Sequence, residues 1–266
     1  MSLLRLFKVE ELPVRVYATQ AAMAASAAAE VSDYLNHVIR QQGEARVIFA
    51  SAASQEQFLA ALTTLPDVDW KRVICFHMDE YLGMTPEHPA SFRRFLQERL
   101  QMKVHPQAFH FIQGEALEPL NEIDRYTSLL QEKPADLCCL GIGENGHIAF
   151  NDPPVADFQD SRLMKLVKLD ERCRQQQVGE GAFPNLEAVP QYAYTLTVPA
   201  LCMARKMVCI VPEHRKAEAV RLALEGPIST TCPASILRRQ SHAVLYLDVD
   251  SASKLTLQVE GGPAAS

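Results

Sequence analysis

The feature that most restricts this chain's fold is a regular exchange of short apolar runs with longer helical segments. Residues 46–50, 72–76, 109–112, 135–142, 194–198, 207–211 and 243–247 are short and mainly apolar. Around them, residues 19–42, 55–62, 91–100, 119–131 and 213–224 read as helices, several with apolar side chains at helical spacing. A strand with one wet face alternates apolar and polar residues, whereas a strand covered on both faces does not. The pattern predicts an α/β fold, a mostly parallel sheet with helices on both faces. In such sheets ligands gather at the carboxyl ends of the strands. Chemistry is therefore to be sought in the loops after Ala50, Phe76, Ile142 and Val211.

Hydrophobic residues make up 48% of the 266, enough for a full core. No internal repeat or long linker divides them, so one domain over 1–266 is expected, with a frayed tail over about 258–266. Lys and Arg number 26 against 32 Asp and Glu, giving a net charge of −6, which argues against a nucleic-acid binder. No run of eighteen apolar residues is present to cross a membrane, and residues 1–12 lack the basic-then-apolar order of a secretory leader. The seven cysteines form no Cys-x-x-Cys pair and sit mostly in apolar runs. They read as reduced, buried thiols of a cytoplasmic protein.

The most informative loop follows the run at Leu140: Gly141-Ile142-Gly143-Glu144-Asn145-Gly146-His147-Ile148-Ala149-Phe150-Asn151-Asp152-Pro153. Its glycines permit positive φ and close approach of backbone to a ligand. His147 stands among Asn145, Asn151 and Asp152, groups able to orient it as a proton shuttle near neutral pH. A structural turn holding a hydrogen-bonded histidine is the competing reading. No helix follows the third glycine as a dinucleotide fingerprint requires, and no Lys-Ser/Thr pair follows as in a phosphate-binding P-loop.

The second loop is His77-Met78-Asp79-Glu80-Tyr81-Leu82-Gly83. Adjacent carboxylates beside apolar walls raise one another's pKa, which suits a general base. An acidic helix start is the alternative. His77-x-Asp79 lacks a third ligand at sensible spacing, so no metal is expected.

Taken together the chain resembles the glucosamine-6-phosphate deaminase/isomerase family, which is related to the 6-phosphogluconolactonases. The resemblance rests on the two loops above. It also rests on Glu87-His88-Pro89-x-Ser91-Phe92, Thr195-Leu196-Thr197-Val198, Lys216-Ala217-x-Ala219, Glu225-Gly226-Pro227 and Pro233-Ala234-Ser235-Ile236-Leu237, all in family order. It implies a modified Rossmann-like domain without a nucleotide cofactor or metal. It also implies conversion of an amino-sugar phosphate, glucosamine 6-phosphate, to fructose 6-phosphate and ammonia. His147 assists ring opening, with Asn145 and Asp152 beside it. Asp79 moves the proton from C2 to C1. Ser51, Ala52, Ser54, Gln55, Glu80, Gly146, Gln177 and Lys216 fall at substrate-binding positions. Family members are monomers or larger assemblies, which leaves a homo-oligomer open.

Three departures stand out. The family commonly has Asp and Glu where this chain has Asn145 and Asp152, one methylene shorter. Its Gly-rich phosphate turn is replaced by Ala50-Ser51-Ala52-Ala53-Ser54-Gln55, where alanine resists positive φ and Ser54 can cap a helix. Its phosphate arginine falls on Gln177, with Arg174 and Arg162 as candidates to compensate. Two alternatives remain. In the lactonases the histidine turn continues Thr-Ala-Ser, not Ile148-Ala149-Phe150 as here. A non-catalytic sugar-phosphate sensor has no need of both Asp79 and His147.

Overall fold

The computed structural model describes residues 2–256; the tail expected to fray lies outside them. The strands are β1 (Leu3–Val9), β2 (Leu12–Tyr17), β3 (Ala45–Phe49), β4 (Val73–His77), β5 (Asp79–Tyr81), β6 (Ala108–His110), β7 (Leu137–Leu140), β8 (Met164–Lys168), β9 (Tyr192–Leu196), β10 (Lys206–Val211) and β11 (Ala243–Asp248). The helices are α1 (Gln20–Gln42), α2 (Glu56–Thr64), α3 (Phe92–Leu96), α4 (Met102–Val104), α5 (Pro119–Gln131), α6 (Glu171–Gly179), α7 (Val198–Cys202) and α8 (Ala217–Glu225).

Eight strands form one sheet in the order β1-β2-β11-β10-β7-β3-β4-β6, parallel except for the β1–β2 pair. The core strands are mainly apolar because both faces are covered. Every residue of β3, β7 and β11 is buried. One apolar cluster joins the sheet to α1 and α2, and a second joins its other face to α5, α7 and α8. α1 is long for local reasons. Thr19 caps its start by accepting from Ala22 N, and Gly43 ends it at φ 87° with its N–H on Ile39 O. Alanines at 24, 27 and 28 line its buried face.

The β1–β2 hairpin went unread in the sequence: charged residues interrupt its apolar ones, and no residue of β1 is buried. The run at 194–198 is also placed differently. Instead of joining the large sheet, β9 sits in a separate antiparallel sheet, β5-β9-β8. That sheet carries Asp79 opposite Thr195.

The chain order reverses between β7 and β3. From β3 it proceeds through β4 to β6, and from β7 it proceeds the other way through β10 to β11. Loops leaving these two strands part from one another and leave a crevice, the expected ligand position in an open α/β sheet. Among the described residues no helix is long and apolar enough to cross a membrane.

Candidate active site

A cleft opens at this reversal, the ligand position expected of an open α/β sheet. It is lined by the loop after β3 (Ser51, Ala52, Ser54, Gln55), the segment after β4 (Met78, Asp79) and the loop after β7 (Gly143, His147, Ala149, Phe150). Lys216 comes from the loop after β10, and Gln176 and Gln177 come from α6.

His147 is held on one side only. Its Nδ1 lies 2.7 Å from Asn145 Oδ1 and 2.9 Å from Asp152 Oδ1. Asn145 Nδ2 donates to the same Asp152 oxygen at 2.9 Å, which turns the amide oxygen toward the imidazole. Two acceptors at Nδ1 place the proton of the neutral ring there and leave Nε2 as the basic nitrogen. The shorter Asp152 therefore reaches His147 at ordinary hydrogen-bond length. Burial pushes the Asp152 carboxyl up, but donors from His147, Asn145 and Asp170 N outweigh it and hold the carboxyl below its ordinary value. His147, Asp152 and Cys173 bring three potential ligand atoms within 4.8 Å of one another. Burial, and then the charge of Asp152, raise the pKa of the Cys173 thiol well above its usual value.

The imidazole lies flat against Gly143. A Cβ on that residue would come within 2.2 Å of ring atoms of His147. Gly143→Ala should therefore displace the ring and lower kcat by about 100-fold or more, with an unchanged far-ultraviolet circular dichroism spectrum. Turnover close to that of the unaltered protein would show that the ring's position is unimportant.

Asp79 is buried, and desolvation, followed by the charge of Glu80, raises its pKa well above the ordinary value. Its neighbour does something different. Glu80 does not line the cleft. Its carboxylate accepts from Tyr81 N, Ser91 Oγ, Phe92 N and Arg93 N at 2.9–3.2 Å, tying β5 to the start of α3. The acidic helix start raised above thus applies to Glu80, across eleven residues of chain. His77 is wholly buried; desolvation pulls it down to about 3, and its Nε2 accepts from Ile112 N.

The altered turn after β3 is free of the strain that alanine would bring. No residue from 50 to 55 has positive φ. Ser54 caps nothing, since Ala52 stands at the start of the 3-10 turn Ala53–Gln55. Ser51 Oγ and Gln55 Oε1 are buried without a protein partner and face a cleft where a polar ligand can satisfy them. Positive φ occurs elsewhere in the site, at Ala149 with φ 50°.

Gly146, with φ 84°, lies off the cleft. It packs on Cys232, where a Cβ would meet Sγ at 2.7 Å, and its carbonyl accepts from Ala234 N. Gln177 does line the cleft, accepting from Tyr81 Oη at 2.9 Å. Neither arginine named as a substitute reaches it. Arg174 donates to Leu186 O and Val189 O, and Arg162 pairs with Asp160. Lys216 is the one Lys or Arg among the lining residues, and burial, partly offset by Glu180, pulls its pKa down. Met78, Phe92, Phe150 and Gln176 also line the cleft and were not singled out from sequence. Each adjoins or lies within a segment already read, but apolar and amide side chains carry no chemical signal of their own.

Comparison with known proteins gives the family. Residues 18–246 match the family model described as glucosamine-6-phosphate isomerases/6-phosphogluconolactonase. The chain belongs to that family. Among curated relatives, the glucosamine-6-phosphate deaminase of Exiguobacterium sibiricum is 36% identical over 189 residues, 71% of this chain and 73% of the relative. The deaminase of Shewanella woodyi is 30% identical over 240 residues, 86% and 88% of the two chains. A solved structure of a monomeric glucosamine-6-phosphate deaminase superposes with TM-score 0.83 at 27% identity, covering 90% of this chain and 98% of that one. A 6-phosphogluconolactonase from Shewanella baltica superposes with TM-score 0.74 at 17% identity, over 91% of this chain and all of that one, a likeness of fold. The cleft of this member of the glucosamine-6-phosphate isomerase family has the neutral Gln177 where the resemblance places a cation.

Proposed function

We propose that the protein isomerises and deaminates an amino-sugar phosphate, converting glucosamine 6-phosphate and water to fructose 6-phosphate and ammonia. The observation that carries this reading is the placement of Asp79 and His147 on one cleft, with His147 fixed through Nδ1 by Asn145 and Asp152. His147 Nε2 takes the proton of the anomeric hydroxyl and returns one to the ring oxygen, opening the hexose. The Asp79 carboxylate then removes the proton at C2 as the C1 oxygen is protonated, giving an enolamine. The same carboxyl delivers its proton to C1, leaving an imine at C2. Water adds to that carbon, the C–N bond breaks, and ammonia departs. Desolvation makes Asp79 more basic than a carboxylate in water, as abstraction from carbon requires.

Asn145 and Asp152 act through His147. Ser51, Ser54, Gln55, Gln177 and Lys216 bind the substrate, with Ala52 contributing through its backbone. A sensor needs no turnover, so the presence of both Asp79 and His147 disfavours it, and Ile148-Ala149-Phe150 after His147, where the lactonases continue Thr-Ala-Ser, favours the deaminase over a lactonase. Seven unpaired thiols, six of them buried, support a reducing cytoplasmic location.

The test is ammonia release from glucosamine 6-phosphate, glucosamine and galactosamine 6-phosphate in parallel. Release from glucosamine 6-phosphate, and much less from glucosamine, is expected. Silence on all three, together with hydrolysis of a sugar-phosphate lactone, would move the assignment to the lactonases.

A further inference from the structure

The one lysine or arginine among the residues lining the cleft stands beside a carboxylate. Lys216 has a side chain only 3% exposed, and behind it Glu180, 7% exposed, places Oε1 3.9 Å from Lys216 Nζ. The same oxygen accepts from Gln176 Nε2 at 2.8 Å and Arg215 Nη1 at 3.0 Å. Arg215 points away from the cleft; Glu213 binds its Nε and Glu144 lies 3.6 Å from its Nη1. Lys216 and Glu180 thus cancel in formal charge, while Arg215, outside the cleft lining, is shared among Glu180, Glu213 and Glu144. Gln177 adds no charge.

A phosphate ester carries between one and two negative charges near neutral pH. A carboxylate this close to the lone lining cation cancels much of its field at the ligand, and a buried pair is little screened by salt. Resting on the assignment of the cleft to an amino-sugar phosphate, we propose that Glu180 is a specificity-determining residue. Acting through Lys216, it keeps the net charge of the anion end low and sets a loose grip on the phosphate. The arrangement has a second side. Glu180 also favours the charged form of Lys216, which burial opposes. Its hydrogen bonds to Gln176 and Arg215 need an oxygen acceptor, which an amide still supplies, although the Arg215 bond loses its charge assistance.

Glu180→Gln separates these roles. At pH 7 the KM for glucosamine 6-phosphate should fall by about tenfold or more, with kcat within about twofold of the parent. The Kd of inorganic phosphate, measured by titration calorimetry, should fall by a similar factor. Glu180→Ala, as a second variant, carries the same expectation should the amide fail to fold. A KM and a phosphate Kd that stay constant or rise in the folded variant would overturn the proposal, because they would make Glu180 a support for Lys216 and nothing more. Absence of ammonia release from both parent and variant, with phosphate still bound more tightly by the variant, would overturn the assigned reaction and uphold the role of Glu180.

Discussion

Asp79→Asn should lower kcat for ammonia release by roughly 10²–10⁴-fold, the range a positioned general base supplies, and should raise the melting temperature. Both effects have one cause. Asp79 lies in a dry site beside Glu80, and desolvation lifts its folded-state pKa well above the ordinary aspartate value. For a group raised in the folded state, stability is full below the unfolded pKa and falls as pH rises through the folded one. Above its raised folded-state pKa the parent enzyme therefore carries an unfavourable buried charge that the amide removes. For the same reason the rising limb of kcat/KM against pH should lie above the range of an ordinary aspartate, since only the ionised form accepts the proton. Steady-state ammonia assays and thermal melts at pH 5 and pH 8 check these points. A variant that retains full turnover, or melts lower than the parent at pH 8, removes Asp79 from the role of buried base.

His147→Gln should cost about 10²–10³-fold in kcat with little change in KM. The amide keeps some hydrogen bonding toward Asn145 and Asp152 but has no basic nitrogen to serve the anomeric hydroxyl. Asp152→Asn should produce a smaller loss. Asn145 Oδ1 remains as an acceptor at Nδ1, 2.7 Å away, while the carboxylate that stabilises a charged ring is gone. The ordering is the informative part. Equal losses in the two variants would mean that the ring works only when backed by a carboxylate. Retained activity in His147→Gln would place ring opening in solution.

Much of this molecule was legible in the chain because its signals are local. The apolar runs that became β3, β4, β7, β10 and β11 need no partner to be recognised. The four loops expected to carry chemistry all reach the cleft. What escaped depends on pairings distant in sequence. β5 is three residues long, Asp79–Tyr81, and exists because β9 lies beside it more than a hundred residues later. Glu80 looks like a second catalytic carboxylate until Ser91, Phe92 and Arg93 are brought against it. Arg174 lies in the chain near Gln177, where a cation was wanted, yet helical geometry sends it to the carbonyls of Leu186 and Val189. Glu180 carries no motif at all and acquires meaning only beside Lys216 and Arg215.

The base and the imidazole hang from different frameworks. Asp79 belongs to the small sheet, whereas His147 follows a strand of the large one. Thr195 links them: it faces Asp79 across the β5–β9 ladder and accepts the N–H of Phe150 at 3.1 Å. Asn151 Nδ2 adds a bond to Leu196 O, and the rings of Tyr81 and Phe150 pack tilted with centroids 5.2 Å apart. The span across which one hexose must be gripped is therefore set by a threonine hydroxyl and by an aromatic contact of which only Phe150 lines the cleft. Since an error of about 1 Å in such a span can cost about 10²-fold in rate, drift at these silent positions offers evolution a fine adjustment for turnover that leaves every reactive group in place.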